Sequence, residues 1–315
     1  MSLTIGIDVG GTKIAGGVVD EQGRVLEELR VESPAQDAAA IEDAIAGLVR
    51  RLRMRHEVEA VGVGAAGYID SARSTVLFAP NLALRDLDLK AELEERIDVP
   101  VVIENDANAA AWGEFRFGAG EDVDDLVLIT VGTGVGGGLV LAGRLYRGAF
   151  GVAAELGHLR VVPGGRLCGC GNRGCWEQYA SGTAMVRTAR KEAAAGSMLA
   201  RPLTDRAGSV EAIDGPMITA AAQEGDPFAI EQLAILGRWL GEGVASLAAV
   251  LDPAVVVVGG GVAAAGDLLM TPLRTSFQRE LTGRGHRPAL EIRSAALGNT
   301  AGLIGAADLA RERGE

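Results

Sequence analysis

Thiols and an imidazole gather in one short stretch of this 315-residue chain, residues 155–178, which read ELGHLRVVPGGRLCGCGNRGCWEQ. All three cysteines, Cys168, Cys170 and Cys175, lie there, with His158 just upstream. Three thiolates and one imidazole satisfy the four tetrahedral positions that Zn²⁺ takes in a closed structural site. Gly169, Gly171 and Gly174 separate the sulfurs and let the backbone turn sharply enough to aim them at one point. The other reading is a set of redox or buried thiols beside an unrelated histidine. An odd cysteine count argues against a simple disulfide set and favours structural zinc. Glu155 and Glu177 flank the knuckle. If Glu155 and His158 share a helix, their i, i+3 spacing puts them on one face. A rigid knuckle holding a histidine between two acids has the chemistry of a wall for a polar ligand.

Two further clusters carry polar chemistry. Asp8-Val9-Gly10-Gly11-Thr12-Lys13 stands between two apolar runs. Paired glycines admit close backbone approach, so main-chain N–H groups and the Thr12 hydroxyl can meet phosphate oxygens. Asp8 at the strand end can hold Mg²⁺ through water. An ordinary hairpin turn explains the same residues equally well, and no Walker A pattern occurs in the chain. The second cluster is Glu104-Asn105-Asp106-Ala107-Asn108, which follows the buried run Val101-Val102-Ile103. One helix cap needs one Asp or Asn; four polar residues in this stretch exceed that need and point to a site.

These clusters need elements to position them. Alternation predicts strands at Leu3–Val9, Lys13–Asp20 and Val25–Val31, with a turn at Glu21–Arg24. Ile41, Ile45, Leu48 and Leu52 form a helical stripe over Asp37–Arg55. Val58–Gly64 reads as a buried strand leading into Gly67, with a loop through Asn81. Leu89–Ile97 is a short helix, and an alanine-rich helix follows Asn108. The stretch 126–146 repeats the plan of strand, glycine turn and strand around Thr133 and Gly134. Gly132, Gly134 and Gly137 fit G-x-G-x-x-G, but a strand follows where a dinucleotide site requires a helix, which excludes that site. The region 184–225 shows no chemistry. Ile230–Leu251 has helical spacing, and Pro253–Val258 is a strand running into Gly259-Gly260-Gly261. Those glycines fit a nucleotide against backbone or a packing contact equally. A strand near Leu290–Arg293 and a helix at Thr300–Arg313 complete the expected elements.

Composition excludes several partners. The net charge of −12 argues against nucleic acid, which needs a basic face. The run Arg50, Arg51, Arg53, Arg55 is read as cations at a helix C-terminus. Glycine, at 45 residues, is about twice its usual ~7% share and clusters at the ends of apolar runs, as backbone-lined ligand loops require. No signal peptide is visible, and no apolar run reaches the ~18–20 residues of a membrane span. The expectation is a soluble cytoplasmic protein.

With these motifs in hand, the sequence resembles the sugar kinases of the ROK family (repressors, open reading frames and kinases). The resemblance runs over nearly the whole chain, through Asp8–Lys13, Glu104–Asn108, Gly132–Gly138, Glu155–His158, the Cys168–Glu177 knuckle and Gly259–Gly261 in order. It implies an α/β, two-lobed actin-like ATPase fold of the ribonuclease-H type, with a cleft between the lobes and a zinc knuckle. The expected small lobe is 1–115 plus a helix at about 300–315, and the large lobe is 116–299. The implied activity is that of a glucokinase, ATP-dependent phosphorylation of glucose at the 6-hydroxyl. The alternatives are another hexose (fructose, mannose, allose or N-acetylmannosamine), polyphosphate or ADP as donor, or a non-catalytic sugar sensor. Repressors of the family carry a helix-turn-helix domain before the phosphate motif, and with that motif already at Asp8 none is expected here. By resemblance, Asp106 is the general base. Asn105, Glu155, His158 and Glu177 hold sugar hydroxyls, with Asn81 and the backbone near Gly67. Gly10, Gly11 and Thr12, with Thr133 and Gly134, cradle phosphates. Gly259, Gly260 and Gly261 meet the adenosine, and Asp8 meets the nucleotide's Mg²⁺. His158, Cys168, Cys170 and Cys175 bind structural zinc. A homodimer or homotetramer is expected.

Overall fold

Alternation in the first strand sorts its side chains onto two very different faces. In the computed structural model, which describes residues 2–288 and 290–312, β1 (Thr4–Val9) buries Ile5, Ile7 and Val9 on one side. Gly6 lies on the other, where a helix backbone needs the room. β2 (Lys13–Val19) and β3 (Val25–Glu32) run antiparallel beside it. After α1 (Ala38–Arg53), β4 (Ala60–Ala65) pairs parallel to β1. Asp37 caps α1 by accepting from the Ala40 N–H, and Arg50, Arg51 and Arg53 close its last turn as the sequence leads one to expect. Three short strands, β5 (Tyr68–Ile69), β6 (Val76–Phe78) and β7 (Arg85–Leu87), form a separate small sheet. Then come α2 (Leu89–Ile97), β8 (Val101–Asn105) and α3 (Asp106–Phe117). The main sheet has the order β3-β2-β1-β4-β8.

One face of that sheet is covered by α1 and α2, with Ile5, Ile7, Val61, Val63, Ile45, Leu48 and Leu93 in one core. The other face receives the C-terminal helix Ala301–Arg311 and α3. There Gly6 and Gly62 lie so close to that helix that a methyl group on either would overlap a carbonyl oxygen, of Leu303 and Ala306 respectively. Gly305 on the helix lies equally close to the Ala109 carbonyl of α3. Arg313, expected in this helix, lies outside the described residues.

The remaining elements begin with the hairpin β9 (Leu126–Val131) and β10 (Val135–Leu141), followed by β11 (Arg144–Leu145). Helices α4 (Glu177–Ala180), α5 (Gly182–Ala194), α6 (Arg201–Ala207), α7 (Gly215–Gln223) and α8 (Pro227–Leu251) come next. Then β12 (Val255–Gly259), α9 (Asp267–Glu280) and β13 (Glu291–Ser294) complete a second sheet of order β11-β10-β9-β12-β13. The chain divides into two compact units: Met1–Leu128 with Gly137–Ala154 and Ala295–Glu315, and Ile129–Gly136 with Glu155–Ser294.

Two elements differ from the sequence expectation. The sequence sets no bounds for a helix between Gly261 and Leu290, and α9 lies in that stretch with Pro272 inside. An internal proline costs a helix ~3 kcal/mol. Packing retains it: Leu269, Met270, Leu273 and Phe277 are buried, and Gly237 and Gly241 of α8 let the α9 backbone approach. The second difference is α8 itself. It is the one helix among the described residues with the length and hydropathy of a membrane span, although 56% of its most apolar window is buried within the protein.

The glycine contacts predict a contrast. Gly62→Ala should destabilise the protein by at least the ~1–3 kcal/mol typical of overpacking, because the obstructing atoms are backbone. Gly47→Ala, in α1 with nothing within 4 Å, should stabilise it by ~0.5–1 kcal/mol. Urea unfolding of the two variants checks both signs.

Candidate functional site

The first unit gathers its polar residues at the ends of adjacent parallel strands. Register places Asp8 beside Gly64 and Ala65 beside Asn105. Asp8 is on the Gly6 face of β1, close to Gly302 in the first turn of the C-terminal helix. A methyl group on Gly302 would stand 3.8 Å from the Asp8 carboxyl carbon and 3.7 Å from the Asp106 carbonyl oxygen. The Gly10 N–H donates to the Lys13 carbonyl at 3.0 Å, closing the turn whose exposed tip is Gly11 and Thr12. Asn81 lies near that tip, where a methyl group added to Gly11 would be in van der Waals range of its carbonyl oxygen and Cβ. Lys13 is an exposed residue at the start of β2.

Asn105 ends β8 and caps α3. Its Oδ1 accepts from the N–H groups of Ala107 (2.9 Å) and Asn108 (3.0 Å), and its Nδ2 donates to the Gly67 carbonyl at 3.1 Å. The capping reading of this cluster therefore holds at Asn105. One Nδ2 hydrogen remains for a ligand. Asp106 opens α3 and keeps part of its surface open, though protein surrounds it densely. Burial raises its pKa, opposed by the N–H groups of Ala107 and of Asp106 itself. Asp8 is raised from its ordinary 3.8 to about 6, first by burial and then by the charge of Asp106. Two carboxyl groups in this position favour a cation or a proton.

The second unit contains the knuckle. Glu155 precedes a short 3-10 turn, Leu156–His158, and His158 Nε2 stands 3.9 Å from Glu155 Oε2. The other ring nitrogen, Nδ1, faces Cys168 Sγ at 3.7 Å. Cys170 Sγ and Cys175 Sγ are 3.6 Å apart, and the four candidate ligand atoms all lie within 4.8 Å of one another. A tetrahedron with bonds of ~2.3 Å has edges of ~3.8 Å, so the cluster has the size of a four-coordinate metal centre. Without a metal, burial and then Glu177 push the Cys168 thiol up to about 12, and Cys168 Sγ donates to Glu177 Oε1 at 3.0 Å.

The backbone explains why these ligands converge. Cys168 N–H donates to the Asn172 carbonyl and Gly171 N–H to the Cys168 carbonyl, which folds 168–172 into a tight turn with Gly171 at φ 90°. Gly174, at φ 83°, admits no methyl group against the Val162 carbonyl. Trp176 fastens the knuckle to α8. It is fully buried, its ring fills the space left by Gly243, and its Nε1–H donates to the Trp239 carbonyl at 2.9 Å. Sequence reasoning gave Trp176 no role. Its pairing with a glycine in a distant helix leaves no local signal.

The glycine turns of this unit meet the same region. A methyl group on Gly134 would stand 2.8 Å from Glu177 Oε2, and one on Gly182, at the start of α5, 2.8 Å from the Gly132 carbonyl. Thr133 is exposed at the tip. Gly260, at φ 87°, lies against the end of β9 at Val131, while Gly261 has open space around it. Gly259 ends β12. The structure thus brings together Asp8, Asn105, Asp106 and Gly67, and Gly11 with Asn81, in one unit. In the other it brings together the metal ligands, Glu155, Glu177 and Gly134.

Comparison with known proteins places this geometry. The model of the ROK family matches residues 4–313. The glucokinase of Streptomyces coelicolor is 52% identical over 313 residues, covering 99% of this chain and 98% of that protein. Among solved structures, a ROK family glucokinase from Streptomyces griseus in complex with glucose and AMPPNP superposes with a TM-score of 0.91 at 54% identity, over 99% of this chain and 100% of that one. A ROK hexokinase from Thermus thermophilus gives a TM-score of 0.80 at 38% identity, over 98% of both. The α/β sheets described above are those of the actin-like ATPase fold.

The raised pKa of Asp8 has a measurable consequence. Its folded-state pKa lies above the unfolded one, so ionisation costs stability, and the cost grows as pH rises from about 4 through 6. Asp8→Asn should therefore stabilise the ligand-free protein at pH 7.5, by ~1–3 kcal/mol. The advantage should shrink steadily as pH falls to 5. Paired thermal melts at several pH values test this, and a pH-independent difference would refute it.

Proposed function

The chain belongs to the ROK family, and from that premise we propose that it is a glucokinase, transferring the γ-phosphoryl group of ATP to the 6-hydroxyl of glucose. The observation that carries the reading is the Asp8–Asp106 carboxyl pair at the strand ends, in a chain similar to glucokinases along nearly its whole length. Phosphoryl transfer asks a protein mainly for positioning and charge neutralisation.

In the mechanism, Asp106 accepts the proton of the sugar 6-hydroxyl as that oxygen attacks the γ-phosphorus. Burial raises the basicity of its carboxylate, which favours proton transfer from an alcohol. Asn105 donates its remaining Nδ2 hydrogen to a sugar oxygen, its carbonyl being spent on the helix cap. Gly67 and Asn81 complete the contribution of the first unit, and Gly10, Gly11 and Thr12 meet phosphate oxygens. From the second unit, Glu155 and Glu177 accept from sugar hydroxyls, and His158 presents Nε2. Thr133 and Gly134 meet phosphates, and Gly259, Gly260 and Gly261 lie along the adenosine. Asp8 would be the protein contact of Mg²⁺ bound with the nucleotide, and that ion would supply charge neutralisation at the phosphates. Zn²⁺ would be held by His158 Nδ1, Cys168, Cys170 and Cys175. Four protein ligands leave no open position, so its part is to fix the knuckle. With Nδ1 on the metal, the tautomer of His158 would be set and Nε2 would carry the hydrogen offered to the sugar. The protein acts in the cytoplasm as a homo-oligomer.

Two experiments test this reading. Asp106→Asn should keep glucose affinity within several-fold and lower kcat by ~10²–10⁴ in a coupled assay with Mg·ATP. Activity within threefold of the parent would remove Asp106 from the role. The same assay with mannose, fructose, allose and N-acetylmannosamine, and with polyphosphate or ADP as donor, ranks the alternatives. For the knuckle, elemental analysis should return one zinc per chain. Cys170→Ser should lose it, melt at lower temperature and bind glucose far more weakly, with nucleotide affinity less affected. Normal glucose affinity in a zinc-free variant would show that the knuckle does not organise the sugar contacts.

A further inference from the structure

Next to the proposed base stands a carboxylate that touches neither sugar nor phosphate in the mechanism above. Glu104 is 1% exposed. Its Oε1 accepts from the Asn105 backbone N–H at 2.9 Å and from Asn108 Nδ2 at 3.1 Å. Its Oε2 lies 2.7 Å from Arg147 Nε and 3.2 Å from Arg73 Nε. Both arginines reach further. Arg147 donates to the carbonyls of Asp70 (2.8 Å) and Ser71 (3.0 Å). Arg73, at φ 56°, accepts on its carbonyl from the Ile103 N–H of β8 at 3.0 Å. Asp70 in turn holds the turn rigid by accepting from the N–H groups of Ser74 and Thr75.

Three chain segments therefore meet at one carboxylate: the end of β8, the turn 70–75 that follows Gly67, and the segment after β11. All lie in the same unit. A buried strand end is held more cheaply by apolar packing, since an ion pair in the interior regains its desolvation cost only with good geometry and additional hydrogen bonds. Glu104 Oε2 and Arg147 Nε form an ion pair and not an aligned hydrogen bond; what the charges add is attraction of three segments to one point. Fixing the Asn105 backbone fixes the cap of α3, and the first residue of that helix is Asp106.

We propose that Glu104 is a positioning residue of phosphoryl transfer, which through Arg147 and Arg73 holds the Asn105–Asp106 strand end and the Gly67 turn in one fixed arrangement. The proposal rests on the reading of Asp106 as the base. A displacement of ~1 Å at a reacting group can cost ~10²-fold in rate. Loss of the Glu104 charge should thus appear in kcat, while the nucleotide contacts on other segments keep KM for ATP.

The test compares Glu104→Gln, Arg147→Met, Arg147→Lys, the Glu104→Gln/Arg147→Met double variant and Asp106→Asn. Glu104→Gln should lower kcat about 10–100-fold with KM for ATP within twofold. Arg147→Met should act in the same direction, and the double variant should be no slower than the slower single, because both changes act through one contact. Arg147→Lys keeps the charge but cannot make all three contacts, so its kcat should fall between those of the parent and Arg147→Met. A folded Glu104→Gln with kcat within twofold of the parent, or losses that multiply in the double variant, would overturn the proposal. Should Glu104→Gln fail to fold, the two Arg147 variants decide: equal kcat for Lys and Met refutes the charge contact. If Asp106→Asn keeps parental kcat, it is the base reading that fails. If it loses activity while Glu104→Gln does not, only the positioning proposal fails.

Discussion

Placing a carboxylate away from water is costly, and the first unit is arranged around several of them. Five are compensated by the protein, among them Asp20 by Arg24 and Glu42 by Arg96. Glu104 has two guanidinium groups. Glu114 accepts from the backbone N–H groups of Ala119, Ala296 and Leu297. Asp308 has Trp112 Nε1–H, Arg116 and Arg311. Among the described residues Asp8 and Asp106 have no guanidinium partner, and both have raised pKa values. Burial alone does not make the difference, since Glu42 is also raised beside Arg96; what sets Asp8 and Asp106 apart is their closeness to one another. Charges left unbalanced at a strand end fit a site that receives a cation-bound nucleotide and a sugar hydroxyl.

The knuckle solves a different problem. Its loop has only two isolated bridges, Arg160 with Cys175 and Leu167 with Arg173, and little core of its own. Two fastenings hold it: the cluster of ligand atoms at one end and Trp176 in the groove of α8 at the other. Glu177 is the next residue and opens α4. A carboxylate adjacent to a fully buried indole has little freedom, and Gly134 can approach it only because it lacks a side chain.

Much of this was legible in the sequence because the signals are local. The strands of the first sheet alternate, α1 has a helical stripe, and the thiols declare themselves by type and spacing. The rejected dinucleotide motif was also readable, since β10 follows Gly134 as a strand. What escaped depends on residues far apart in the chain. Arg147 is an unremarked arginine until it meets Glu104, and Trp176 is one tryptophan until it meets Gly243. The bounds of α9 were not read from the sequence, and the local penalty of its Pro272 is outweighed by a tertiary surface that the sequence does not display. The same holds for the small sheet β5–β7, whose strands are too short for alternation to register.

The helix Ala301–Arg311 has a consequence for biogenesis. It covers one face of a sheet whose five strands all lie before residue 106, yet the whole stretch Glu155–Ser294, belonging to the other unit, is translated in between. At ~5–20 residues per second, a ribosome needs several seconds or more to cross that insertion. Throughout that interval the nascent sheet lacks the backbone surface that Gly6 and Gly62 are shaped to receive. The inserted unit can complete its own fold first, whereas the earlier-made half must wait for the last helix to emerge. Chaperone demand should therefore centre on the N-terminal strands.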